Sequence, residues 1–222
     1  VWVIARQHPG ETMAEWCVEG LLERLLDEAD PIATAVLDHA VLHIVPNMNP
    51  DGGIRGNLRA NAAGANLNRE WQTPGAARSP EVLHVSRRMR KTGCQLFLDL
   101  HGDENLPYVF VDGNDMMPGF DDAARAAQSA FVADLLAASA DFQVEVGYDR
   151  DKFSQELTTI ASKWAFLTFG CVSLTLEMPF KDNANLPNAL TGWDGARSKR
   201  LGGALLGAIL PHVLRARAKA AG

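Results

Sequence analysis

The 222-residue chain has no apolar run approaching the ~20 residues of a membrane-spanning helix. Cysteine is scarce. Cys17, Cys94 and Cys171 are odd in number, far apart and set in apolar surroundings. They read as buried free thiols of a reducing, cytoplasmic compartment, not as a disulfide framework or a zinc knuckle. Positive charge is in deficit, with 21 Lys and Arg against 27 Asp and Glu, and the net charge of -6 argues against a nucleic-acid footprint. Internal repeats, low-complexity tracts and linkers are lacking, and so is an initiator Met. The chain opens inside the apolar run Val1-Trp2-Val3-Ile4-Ala5, so the expectation is of a fragment from which an N-terminal part is missing. What remains is of ordinary globular composition, 47% hydrophobic and 22% charged, and long enough to bury a full core.

Taken in order, Val1–Ala5 reads as a strand, and Pro9-Gly10 as the turn that follows it. From Glu11 to about Ala29, Met13, Cys17, Leu21 and Leu25 form a stripe joined by Trp16 and Leu22, opposite Glu15, Glu19, Glu23 and Asp27. That is a surface helix packed on a sheet, ended by Pro31. Val41–Pro46 is a second strand. Residues 47–78 form a polar segment too long for a simple connection. Ser79-Pro80-Glu81 starts a helix, with Ser as cap, and Gly93 stops it. Strands are expected at 95–101, 107–111 and 172–177, with an edge strand around Val144–Val146. Helices are expected at 121–140, from Gln155 to about Trp164, and over 196–218. Strands alternate with helices, which predicts a single three-layer α/β/α domain over 1–222 with a mixed, mostly parallel sheet.

Polar residues gather at the C-terminal ends of the expected buried strands, where open α/β sheets build their sites. His8 follows the first strand, His101 ends the third, and Glu177 ends a later one. His8 and Glu11, three residues apart beyond a strand, offer half a zinc site, and His101 completes a His2Glu set with one open position. His39, His43, His84 and His212 read as ordinary structural histidines. Glu177 follows Val-Ser-Leu-Thr-Leu, where an unpaired carboxylate would be costly.

His8-Pro9-Gly10-Glu11, Asn49-Pro50-Asp51-Gly52, Gly56-Asn57-Leu58-Arg59, Asn66-Leu67-Asn68-Arg69-Glu70-Trp71, Asp99-Leu100-His101-Gly102 and Thr175-Leu176-Glu177 occur in one order. Together they resemble the zinc carboxypeptidase family of carboxypeptidase A, itself a standard His2Glu zinc site. The likeness is to its cytosolic-type branch, whose eukaryotic members trim glutamates from tubulin tails. The resemblance implies one zinc ion held by His8, Glu11 and His101. Arg59 would stabilise the oxyanion, Asn68 and Arg69 would clamp the free C-terminal carboxylate, and Glu177 would be the general base. The chemistry needs these types. Zinc lowers the pKa of bound water from 15.7 to roughly 7. A carboxylate base adds roughly 10²–10⁴-fold, an oxyanion donor roughly 10²–10³-fold, and a guanidinium matches two carboxylate oxygens.

Three departures stand out. Asn66 occupies the place where the family usually has an Asp bonded to the first zinc His; an amide oxygen still orients His8 but brings no charge, so a lower zinc affinity is expected. The family's mobile Tyr has no clear counterpart, and Tyr148, at the wrong offset, is left out of the site. Cytosolic-type members carry a β-sandwich domain before the catalytic one, and this is the N-terminal part expected to be missing here. Counting back from Glu177, the family's pocket position falls near Ser162, beside Lys163, which either suits an acidic C-terminal residue or points to solvent. The last helix, with its basic end at Arg215, Arg217 and Lys219, packs on the domain or on a partner. The expected substrate partner is a peptide or protein C-terminus, with neither nucleic acid nor membrane. Two other readings are carried: a zinc-dependent deacylase of the aspartoacylase and succinylglutamate desuccinylase type, and a zinc-bearing binding module without catalysis.

Overall fold

A computed structural model describes residues 1–149 and 157–221. Five strands form one sheet: β1 (Trp2–Ala5), β2 (His43–Val45), β3 (Leu96–Asp103), β4 (Phe110–Asp112) and β5 (Val172–Pro179). Among the described residues seven helices accompany them: α1 (Thr12–Leu25), α2 (Pro31–His39), α3 (Pro50–Ile54), α4 (Pro80–Thr92), α5 (Asp122–Ala138), α6 (Ala161–Phe169) and α7 (Gly195–Ala221). The order across the sheet is β2-β1-β3-β5-β4, parallel except for β4, which pairs antiparallel with β5 at one edge. Among the described residues no helix is long and apolar enough to cross a membrane.

The side-chain period of two along each strand divides the core. Val3, Ala5, Leu96, Leu98, Leu100, Leu174 and Leu176 pack against α1, α2, α5 and α7. Trp2, Ile4 and Phe97 face the other way, onto α4, α6 and Trp71. Helices on both faces bury the central strands completely, which is why these strands read as apolar runs. The α1–α7 contact is close: a side chain on Gly20 would strike the Lys199 backbone, and one on Gly202 would strike the Cys17 carbonyl. Leu201, Leu205, Ile209 and Val213 of α7 are buried here, so its apolar stripe is spent on the domain.

Several local expectations need correction. Pro31 does not end the first helix but opens a second. α1 stops at Leu25, and Asp30 caps α2 by accepting the N–H groups of Ile32 (2.8 Å) and Ala33 (3.1 Å). Trp16 lies exposed instead of joining the α1 stripe. The 47–78 segment contains α3 and a 3-10 turn, Leu67–Arg69, capped by the side chains of Asn49 and Asn66. Ser79 precedes α4 without a side-chain cap bond; its hydroxyl donates to Glu70 Oε2 instead. The stretch around Val144–Val146 is no strand, and only an isolated bridge joins Val109 to Phe142. The helix expected from Gln155 begins later, at Ala161, after a 3-10 turn at Leu157–Thr159; Gln155 and Glu156 lie outside the described residues. Cys17, Cys94 and Cys171 are buried and free.

Candidate active site

The motif residues meet at the C-terminal rim of the sheet. β1 ends abruptly because Arg6 adopts a left-handed backbone (φ 59°), which turns the chain and brings His8 and Glu11 over the strand ends. Two glycines hold the turn against the polar segment. A side chain on Gly10 would come within 2.9 Å of the Leu58 carbonyl, and one on Gly52 within 2.7 Å of Pro9. Gly10 N–H donates to Leu58 O at 2.8 Å, which sets Arg59 beside Glu11, its Nη1 3.9 Å from Oε1. His101 comes from β3, and the β3–β5 register places Glu177 next to it.

His8, Glu11 and His101 are all buried, and their ligand atoms lie within 4.8 Å of one another, a group able to hold a metal ion. His8 Nδ1 is 2.6 Å from Glu11 Oε1, and His101 Nδ1 is 2.7 Å from Glu11 Oε2. The far nitrogens are engaged elsewhere. His8 Nε2 lies 2.9 Å from Asn66 Oδ1, and His101 Nε2 lies 2.9 Å from Asp99 Oδ2. Asn66 Oδ1 also accepts the Asn68 N–H, which fixes the amide as an acceptor. With a cation in place, neutral rings donating outward through Nε2 would present their Nδ1 lone pairs to it beside the Glu11 carboxylate. Three electron-pair donors converging in a buried place fit a cation of the zinc type.

The titrations follow this crowding. Burial works to raise Glu11, but the imidazoles of His101 and His8 outweigh it and bring the carboxyl down to about 2. Burial works to lower His101, yet the Asp99 and Glu11 carboxylates hold it well above the ordinary histidine value. Burial lowers His8, despite the attraction of Glu11. Burial pushes Glu177 up to about 8, with His101 opposing and Glu11 and Asp103 reinforcing.

A cleft of about 390 Å³ opens in front of these groups, lined also by Arg59, Asn68, Arg69, Tyr148 and Thr175. Arg59 is half exposed. Asn68 is buried and pinned, its Oδ1 accepting the Ala161 N–H at 2.8 Å, and Arg69 Nη1 donates to the Asn68 carbonyl at 2.8 Å. Glu177 Oε2 has no partner among the described residues. All seven residues singled out from the sequence thus border one cleft.

Tyr148 belongs to this site, contrary to expectation. Its hydroxyl contacts Asp103 Oδ2 at 2.5 Å and Glu177 Oε1 at 3.0 Å. Lys163 is neither open to the pocket nor turned to solvent. It is buried, ion-paired with Asp112 Oδ2 at 3.0 Å and donating to the Gly113 carbonyl, while Asp112 itself lines the cleft. Ser162 is buried with its hydroxyl 2.8 Å from that of Thr175. Sequence reasoning gave no role to Asp99, Asp103 or Gln7. The available signal was Asp99 itself, a carboxylate between leucines in a strand with no exposed face.

The zinc carboxypeptidase family model matches residues 1–191. An uncharacterized protein of Zymomonas mobilis is 50% identical over 202 residues, covering 91% of this chain and 53% of that protein. Cytosolic carboxypeptidase 4 of Mus musculus is 37% identical over 119 residues, 51% of this chain and 10% of the relative. Among solved structures, a metallo-carboxypeptidase from Burkholderia cenocepacia superposes with a TM-score of 0.94 at 56% identity, covering 97% of this chain and 58% of that one. A metallo-carboxypeptidase from Pseudomonas aeruginosa, in complex with (2-guanidinoethylmercapto)succinic acid, gives 0.91 at 47% identity, with 95% and 56% covered. The chain therefore spans little more than half the length of these two structures and of the Zymomonas relative.

Proposed function

The chain belongs to the zinc carboxypeptidase family, and from that premise we propose that it is the catalytic region of a cytoplasmic zinc metallocarboxypeptidase that hydrolyses the last peptide bond of peptides or proteins. The observation that carries this reading is the convergence of His8, Glu11 and His101 in a buried cluster that opens on the same cleft as Glu177, Arg59 and Arg69. In it, His8, Glu11 and His101 hold zinc, which when bound supplies Lewis acidity and brings the pKa of water down to roughly 7.

The chain's own residues do the rest. Glu177 takes a proton from the attacking water and delivers it to the nitrogen of the leaving residue as the C–N bond breaks, a contribution of roughly 10²–10⁴-fold. Arg59, beside Glu11 and half exposed, is placed to face the carbonyl oxygen as charge develops on it. Arg69 and the Asn68 amide bind the terminal carboxylate, which confines cleavage to chain ends. The cytosolic carboxypeptidase relatives support the cytoplasmic location, and a preference for C-terminal glutamate follows from the resemblance of the motifs to the cytosolic-type branch. Lys163 serves such a side chain only by sharing or exchanging its Asp112 partner, so the preference rests on that resemblance more than on an open cation.

The test is mass spectrometry of peptides that differ only in the last residue, Glu, Lys, Leu or Phe, each free and amidated, incubated with the zinc-loaded chain. Stepwise loss of single residues from free ends alone is expected, fastest from Glu. Silence toward every peptide, with zinc bound and any longer form of the chain also silent, would overturn the assignment in favour of a small-molecule deacylase or a binding module.

A further inference from the structure

The two histidines of the metal centre are held by different chemistry. His8 leans on the neutral amide of Asn66, and His101 on the carboxylate of Asp99. Asp99 is fully buried in the middle of β3, on the face that carries Phe97, and its Oδ1 has no partner among the described residues. A buried carboxylate is costly unless hydrogen bonds or an opposite charge answer it. Its side-chain partners are His101 Nε2 at 2.9 Å and the Gln7 amide, which donates to Oδ2 at 2.7 Å.

Gln7 is itself fixed. Trp71 Nε1, a donor only, donates to Gln7 Oε1 at 2.8 Å, so the amide nitrogen must face Asp99. The Gln7 backbone carbonyl accepts from Asn49 Nδ2 at 2.9 Å. Trp71, Gln7, Asp99 and His101 form a buried chain of hydrogen bonds from the core to a metal ligand, each group held by the one behind it. A leucine at 99 would suit the buried strand but leave the Gln7 amide and His101 Nε2 without this acceptor, so the carboxylate is explained by what it does to His101.

We propose that Asp99 is the positioning residue that sets the affinity of the metal centre, acting through His101, with Gln7 and Trp71 holding its carboxylate in line, and that Asn66 contributes less. A carboxylate behind an imidazole fixes the ring and raises its basicity, and removal of such a partner weakens metal binding by about 10–100-fold. An amide fixes the ring without supplying charge. This inference rests on the reading of His8, Glu11 and His101 as zinc ligands.

The experiment is zinc affinity of the full chain by competition with a chromophoric chelator, alongside the visible spectrum of the cobalt-loaded protein. Asp99→Asn is expected to weaken zinc by about 10–100-fold and to shift the cobalt bands, while Asn66→Ala weakens it by less. Zinc affinity of Asp99→Asn within about threefold of the parent, or a loss in Asn66→Ala as large as in Asp99→Asn, would overturn the proposal. A purely structural Asp99 would lower thermal stability and leave the zinc constant and the cobalt spectrum alone. Should Asp99→Asn fail to fold, Gln7→Met carries the test: more than about threefold weaker zinc supports the chain, and an unchanged constant refutes it. If the parent itself binds no zinc, the ligand assignment fails, and that outcome is distinct from failure of Asp99 alone.

Discussion

Tyr148 and Glu177 meet across the cleft, phenol oxygen to carboxylate Oε1, at 3.0 Å. The same hydroxyl lies 2.5 Å from Asp103 Oδ2, so one phenol proton is shared between two carboxylates. Burial, with Glu177 and Asp103 on either side, pushes the phenol's pKa up, and it stays protonated throughout the working range. It is therefore a fixed donor for Glu177. Tyr148→Phe is expected to lower kcat roughly 10- to 100-fold, as for one lost hydrogen bond to a charged group. Zinc content should be retained, and KM should move less than kcat. Steady-state kinetics with metal analysis checks this, and an unchanged kcat would remove Tyr148 from the reaction.

Glu177→Gln keeps the shape of the side chain and removes its basicity. Turnover should fall by roughly 10²–10⁴-fold with zinc still bound. His8→Ala should do the reverse in order, losing the metal first and activity with it, since two of three ligands cannot hold the site. Zinc quantification after gel filtration separates the two, and a Glu177→Gln variant that turns over normally would refute the assignment of the base.

The strands are legible in the sequence because, buried on both faces, they read as apolar runs bounded by turn residues, and the metal ligands because they end or follow such runs. Val1–Ala5, 95–101 and 172–177 all fall on strands, and His8, Glu11 and His101 converge. Pro31 was misread because proline ends one helix and starts another with equal ease, and only the Asp30 cap distinguishes the cases. Tyr148 was missed because it comes from an irregular segment, whose path across the cleft depends on packing on Phe110 and not on any local pattern. Lys163 was misplaced because its partner, Asp112, sits 51 positions earlier on the antiparallel edge strand. Asp99 is visible as an oddity two residues before His101 on the same strand face, and only the side-chain geometry shows its carboxylate at His101 Nε2.

Arg69 lines the cleft, and in the proposed function it clamps the terminal carboxylate. Arg69→Ala should lower kcat/KM for free peptides by about 10- to 100-fold, the loss of one or two charge-assisted bonds. It should have little effect on whatever slow cleavage amidated peptides show. The ratio of free to amidated rates is the measurement, and a ratio that stays at the parental value would place carboxylate recognition elsewhere.

His101 stands with carboxylates at both ring nitrogens, Glu11 at 2.7 Å and Asp99 at 2.9 Å, and is held well above the usual histidine pKa. Without zinc the ring therefore holds a proton more readily than an ordinary histidine does. A metal ligand must be neutral, so zinc uptake has to expel that proton. Calorimetric titration with zinc in two buffers of different ionisation enthalpy should show about one proton released at pH 7. No buffer dependence would mean that His101 is neutral before the metal arrives.

The zinc-free protein should also lose stability as pH rises. Glu177 has its carboxyl raised from 4.5 in the unfolded chain to about 8 in the fold. Below pH 4.5 both states carry the proton and the group contributes nothing. Between pH 4.5 and 8 the unfolded chain has released it while the fold retains it, so unfolding is favoured progressively as pH rises. Glu11 works in the opposite sense at the acid end. Its carboxyl is lowered from 4.5 to about 2, so the stability it gives is present above pH 4.5 and lost as pH falls toward 2. The two together predict a maximum in the melting temperature of the zinc-free protein near pH 4.5–5 and a decline toward pH 8. Glu177→Gln has no proton to lose, so its melting curve should be flatter over that window, by roughly 5 °C or more at pH 8. Thermal melts of chelator-treated parent and variant across pH 4–8 read this directly. Parallel curves for the two proteins would show that Glu177 is ionised in the fold at neutral pH.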